Sequence, residues 1–140
     1  MKLIFVDTSA WLALVNKSDN FHERAKFTRD NLMNQNTRFV VTDYVIAEIG
    51  NCLSRLNFRK AGIRLIENIR ESEDIEIIKI DNEIFEKAWT LYSSCKDKEW
   101  GLTDCTSFIV MNEWDITEAF STDHHFEQAG FRILLENEDG

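Results

Sequence analysis

Hydrophobic positions along this chain change their period several times, and each change marks an element. Residues 3–6 form an unbroken apolar run with β-branched members, the pattern of a strand buried on both faces of a parallel sheet. Asp7 ends that run. Thr8 and Ser9 then supply capping side chains ahead of a short helix over residues 10–15, and a second helical stretch covers residues 21–33. Residues 39–42 read as the next strand, closed by Asp43 as N-cap of a helix in which Val45, Ile46, Ile49, Leu53 and Leu56 recur at helical spacing. Glu48 falls about one turn into that helix, at the border of its apolar stripe. A helix over residues 59–71 turns Ile63, Ile66 and Ile69 inward, residues 75–80 form a third strand, and Asp81 starts a helix through Tyr92. Thr103 is the expected N-cap of a helix over residues 104–114, apolar around much of its circumference and so central. Residues 119–121 make a fourth strand, Asp123 opens a short helical turn, and residues 131–135 close the pattern as a final strand.

Strands alternating with helices specify an α/β fold, with a central, mainly parallel sheet of about four to five strands flanked by helices. The 140 residues contain no proline, no repeat and no Gly/Ser linker, so a single domain is expected over residues 1–135, followed by a flexible acidic tail at 136–140. Ten Phe, four Trp and two Tyr within a 44% hydrophobic composition are ample for one core. No apolar run approaches the roughly 18 residues of a membrane span, and the N-terminal apolar stretch meets Asp7 too soon for a signal peptide. A soluble protein of the cytoplasm is expected. Cys52, Cys95 and Cys105 are odd in number and widely spaced, which suggests neither a disulfide framework nor a zinc site, but buried reduced thiols.

Charge is unevenly spread. Residues 1–64 carry ten Lys/Arg against six Asp/Glu, and residues 65–140 carry six against nineteen, for a net charge of −9 over the whole chain. The total disfavours a nucleic-acid partner, because phosphate prefers basic surfaces. Arg55, Arg59, Lys60 and Arg64 nevertheless follow one another with no intervening acid. Such a run either meets phosphates or an acidic partner, or is an ordinary solvated helix face.

Four acids, Asp7, Glu48, Asp104 and Asp123, stand where strand gives way to helix or within the first turns of one. Taken singly, each Asp has an ordinary explanation as a helix cap. Right-handed β-α-β crossovers, however, gather all strand C-termini on one sheet edge, where open α/β sheets bind ligands. Two carboxylates about 4 Å apart repel by about 4 kcal/mol at an effective dielectric near 20, so a cluster of four calls for a hard divalent cation. Glu48 caps nothing, which makes it the best single argument for a shared site.

The string from Phe5 to Ser9, the helix-borne Glu48, the Leu102-Thr103-Asp104-Cys105 segment, and the stretch from Phe120 to Phe126 followed by Gly130-Phe131 resemble the PIN-domain nucleases. Among these, the small VapC-like toxin ribonucleases are the most similar, and the resemblance runs through essentially the whole chain. It implies a PIN-like three-layer fold and a metal-dependent endoribonuclease, with Asp7, Glu48, Asp104 and Asp123 holding Mg²⁺ or Mn²⁺ and activating water. It also implies an RNA substrate, a small VapB-like antitoxin and a homodimer. Ser9 and Ser121 match small polar positions beside the first and last acids. Trp11, Leu12, Leu14, Phe21 and Phe27 offer more apolar surface than one helix face needs, and serve either the core or an antitoxin groove.

His124 and His125, neighbours that diverge by about 100° on a helix and so cannot form a zinc pair, are expected to have no catalytic role, nor is His22; His125 fits the resemblance as a structural or substrate-side residue. Asp97 and Glu99 are expected in an exposed loop. Two other classes of function stay open beside the toxin: a housekeeping PIN nuclease of RNA processing or decay, and a PIN-fold binding module without catalysis. A receiver-like signalling domain finds poor support, because Asp81 runs directly into a helix.

Overall fold

The strand expected at the N-terminus is the centre of the molecule. In the computed structural model, which describes residues 1–136, β1 (Lys2–Val6) pairs in parallel with β2 (Thr37–Thr42) on one side and β4 (Glu118–Phe120) on the other. β3 (Ile75–Ile78) extends the sheet beyond β2, and β5 (Arg132–Ile133) extends it beyond β4, all strands running in the same direction. Ile4, Phe5 and Val6 are consecutive and buried to within 1%. Since neighbouring strand residues point to opposite faces, both faces of the sheet are covered.

The covering elements are α1 (Thr8–Val15), α2 (His22–Met33), α3 (Asp43–Cys52), α4 (Leu56–Glu71), α5 (Asn82–Ser94), α6 (Leu102–Glu113) and α7 (His124–Gln128). α6 is the central helix that its all-round apolarity predicts: Cys105, Thr106, Ser107, Phe108, Val110 and Met111 are all buried, and it packs on α5, α3 and α7. Phe108 meets Phe126 edge-on at 5.0 Å, Phe126 lies 6.1 Å from Phe5, and Phe131 lies 5.8 Å from Phe108. Burying each such ring contributes about 2 kcal/mol, and together they fasten α6 and α7 to β1.

Several expected boundaries move. α3 stops at Cys52, and Leu56 opens α4 instead, 92% exposed. The break follows from the approach of α4, whose Gly62 sits so close to Leu53 that an added Cβ would lie 2.9 Å from the leucine Cβ. The inward face of α4 is Gly62, Leu65 and Ile69, which leaves Ile63 52% exposed. Thr42, not Asp43, caps α3, accepting the Val45 N–H at 3.1 Å, while Asp43 accepts the Ile80 N–H and so ties off the end of β3. Gly101 replaces Thr103 as the N-cap of α6, β3 ends at Ile78, and the final strand shrinks to Arg132–Ile133. Asp81 does cap α5, through the Ile84 N–H. Of the cysteines, Cys105 is buried, Cys95 half-buried and Cys52 exposed. The acidic tail expected at 136–140 lies, from residue 137 onward, outside the described residues.

Because every pairing is parallel, the C-terminal ends of the strands share one edge. The chain leaves β1 towards β2 on one side, and only later places β4 on the other. The crevice above β1 and β4 is therefore the switch point at which open α/β sheets accept ligands.

Candidate active site

Asp7 enters this crevice directly from β1. It occupies the N-cap position of α1 but makes no capping hydrogen bond with its side chain, so the capping duty expected of it is absent. Its Oδ2 instead accepts hydrogen bonds from Ser9 Oγ and Ser121 Oγ, both at 3.0 Å. The two hydroxyl oxygens stand 3.2 Å apart, and each has a single proton to give. With both protons directed at Asp7, each oxygen accepts a main-chain N–H: Thr122 donates to Ser9 at 3.1 Å and Asp123 to Ser121 at 2.9 Å. The connection from β4 to α7 thus hangs from the same two serines that hold Asp7.

Asp104 arrives from the first turn of α6, where its Oδ2 accepts the Gly101 N–H at 3.0 Å. Asp123 caps α7 through Oδ1, which accepts the His125 N–H at 2.9 Å. That bond brings the His125 ring into the site, with Nδ1 3.2 Å from Asp123 Oδ1 and 3.5 Å from Asp104 Oδ2. The divergence of adjacent histidines is real, since the His124 side chain is 71% exposed and that of His125 19%. It excludes a pair and says nothing against one of them. The signal that would have found His125 is its spacing: it stands two residues past the N-cap Asp, so the amide that Asp123 caps is its own.

The charges act on one another. Burial first, and then the carboxylate of Asp104, push the pKa of Asp7 up from an ordinary 3.8 to about 6, against the lowering effect of the two serine hydrogen bonds. Burial is also the chief cause that raises Asp104; the Gly101 N–H and His125 oppose it, while Asp123 and Glu48 add to it. Glu48, on the second turn of α3, therefore shares the field of Asp104. It lines an open cleft of about 300 Å³ with Tyr44, Ala47, Asn51 and Thr103. No lysine or arginine of the described residues lies within ion-pair distance of Asp7, Glu48, Asp104 or Asp123. Two buried polar atoms here, Thr8 Oγ1 and His125 Nδ1, have no hydrogen-bond partner. Oxygen ligands in excess, unmet negative charge and unpaired polar atoms are what a divalent cation with its waters would satisfy.

The remaining candidates lie around this centre. Arg55, Arg59, Lys60 and Arg64 are all exposed along the start of α4, together with Leu56 and Ile63. Trp11 is buried, Leu12, Leu14 and Phe21 are half-buried, and Phe27 on α2 is 69% exposed. A second cleft, of about 490 Å³, opens beside Ser9 and Thr122 and is lined by Leu12, Ser18, Asp19, Asn20 and Phe21. Asp97 and Glu99 are exposed as expected, and His22 is spent on the carbonyl of Ala13 at 2.7 Å. No helix of the described residues is long and apolar enough to cross a membrane.

The family model for the PIN domain matches residues 4–132. A curated relative, the 23S rRNA-specific endonuclease VapC20 of Mycobacterium tuberculosis, is 32% identical over 130 residues, covering 92% of this chain and 95% of the relative. The crystal structure of VapC20, described as a sarcin-ricin loop cleaving toxin, superposes with a TM-score of 0.81 at 30% identity over 91% of this chain and 95% of that one. VapBC2 from Rickettsia felis, solved bound to a DNA fragment from its promoter, shares the fold at a TM-score of 0.69 and 13% identity, over 94% of this chain and 96% of that one.

Proposed function

The chain belongs to the PIN-domain family, and from that premise we propose that it is a divalent-metal-dependent endoribonuclease, the toxin of a VapBC-type pair restrained by a small VapB-like antitoxin. The observation that carries this reading is the buried Asp7 carboxyl, raised to about 6 by its own burial and by Asp104 with no cationic side chain to offset them, in a chain similar over nine-tenths of its length to an rRNA endonuclease. Asp7, Glu48, Asp104 and Asp123 would hold Mg²⁺ or Mn²⁺, which when bound lowers the pKa of a water and stabilises the oxygen leaving phosphorus.

The protein's own part is positional. Ser9 and Ser121 occupy Oδ2 of Asp7, the Gly101 amide occupies Oδ2 of Asp104, and the His125 amide occupies Oδ1 of Asp123. Each carboxylate is thereby fixed in orientation, with oxygen lone pairs left over for a ligand. Preorganisation of this kind is what in-line hydrolysis of a phosphodiester requires.

With a net charge of −9, the chain would draw RNA through this centre and the basic strip of α4, doubled in a homodimer. The exposed Phe27, Met33 and Ile63 suit an antitoxin that covers apolar surface. Purified protein incubated with total RNA and either ion tests the activity. Cleavage is expected to stop with chelator and in Asp7→Asn and Asp104→Asn; activity that survives all three refutes the mechanism.

A further inference from the structure

We infer that His125 is a nitrogen ligand of the ion held by Asp104 and Asp123, and that it tilts the site from Mg²⁺ towards first-row transition ions such as Mn²⁺. The inference rests on the carboxylate site proposed above and adds one residue to it. Ligand atoms about 2.1 Å from a metal stand about 3.0 Å apart along an octahedral edge and about 3.4 Å along a tetrahedral one. His125 Nδ1 is 3.2 Å from Asp123 Oδ1 and 3.5 Å from Asp104 Oδ2, so the nitrogen stands at ligand-to-ligand spacing from one oxygen of each acid.

Nδ1 is buried, yet has no hydrogen-bond partner, because neither carboxylate lies in line with a ring N–H. A nitrogen with a lone pair and two oxygens at this spacing is a ligand set, whereas a hydrogen bond would need an alignment that the ring lacks. The two oxygens each accept a single main-chain N–H and keep a lone pair for a metal.

His124, with Asp123 and His125, also offers potential ligand atoms that lie within 4.8 Å of one another. Its side chain is 71% exposed and its Nδ1 is 3.8 Å from Asp123, so the backbone of α7 selects His125 over its neighbour. Imidazole suits transition ions, while Mg²⁺ prefers oxygen and keeps its waters. One nitrogen in an otherwise carboxylate site therefore changes the order of preference without abolishing Mg²⁺ binding.

The test uses the full chain, loaded with Mn²⁺ and read by electron spin-echo envelope modulation, which reports nitrogen bonded to the ion independently of nuclease activity. The unmodified protein and His124→Ala are expected to show nitrogen modulation that responds to ¹⁵N-imidazole labelling of the histidines, and His125→Gln to lose it. In titrations, His125→Gln is expected to weaken Mn²⁺ by about tenfold or more and to leave Mg²⁺ nearly unchanged. Mn²⁺ bound with no nitrogen signal, a signal that survives in His125→Gln, or an equal loss of both ions overturns the inference while the carboxylate site stands. Failure of the unmodified chain to bind either ion overturns both.

Discussion

Ser121 donates its hydroxyl proton to Asp7 Oδ2 at 3.0 Å and accepts the Asp123 N–H at 2.9 Å, so one side chain ties the first of the four candidate acids to the last. Ser121 is fully buried, and water cannot take over either bond without a cavity to enter. Ser121→Ala is therefore expected to lower divalent-ion affinity and RNA cleavage by about ten- to a hundredfold, and stability by about 1–2 kcal/mol. Ion titration beside urea unfolding checks both. An unaltered ion affinity would show that Asp123 is held by α7 alone.

Asp7 predicts an inverse relation between stability and activity. Its folded-state pKa of about 6 lies above the ordinary 3.8, so between these values the folded protein holds a proton that the unfolded chain has released. Stability of the ion-free protein accordingly falls as pH rises from about 4 to 6, and stays at the lower level above that. Asp7→Asn, whose carbonyl still accepts both serine protons, is expected to be more stable than the unmodified protein by about 2–3 kcal/mol at pH 7, with the gap closing below pH 4. Denaturant melts at the two pH values decide it, and saturating Mn²⁺ is expected to reverse the ranking.

Gly62 predicts a loss of stability without a loss of chemistry. A methyl group there would lie 2.9 Å from Leu53 Cβ at the α3–α4 junction. Gly62→Ala is expected to cost about 1–3 kcal/mol through overpacking, despite alanine's better helix propensity. Ion affinity below the melting transition should stay within a factor of about two, since no site residue other than Glu48 lies on either helix.

The basic run of α4 predicts a salt-dependent interaction. Arg55, Arg59 and Lys60 are exposed, and none forms an ion pair with an acid among the described residues; Arg59 meets only the carbonyl of Ser54, at 3.2 Å. Changing the three to Ala together is expected to alter stability by no more than about 0.5 kcal/mol. The same change should weaken RNA or antitoxin binding and flatten the dependence of affinity on salt. Unchanged binding of both leaves the run a solvated helix face.

Much of the fold and of the candidate site is legible in the sequence, for reasons specific to each element. β1 could be read because a strand buried on both faces is a continuous apolar run, and α6 because few helices are apolar all round. The C-terminal positions of Asp7 and Asp123 followed from parallel connectivity alone. What escaped was set by tertiary contact. The break between α3 and α4 arises where Gly62 meets Leu53, a contact that no local pattern announces. Asp43 looks like a cap by residue type, yet spends its carboxylate on Ile80 across the fold. The argument about pairs, though correct, passes over His125, whose place two residues past Asp123 is the one local signal, and the approach of Asp104 opposite it is set by the fold.

The central place of β1 has a consequence for synthesis. Ser121, the bonding partner of Asp7, is translated 114 residues after it, and β4 cannot pair with β1 before then. A nascent or prematurely terminated chain holds its first carboxylate with no opposing wall and no Asp123. The crevice that gathers the acids is therefore closed only after the strand that completes it has been translated.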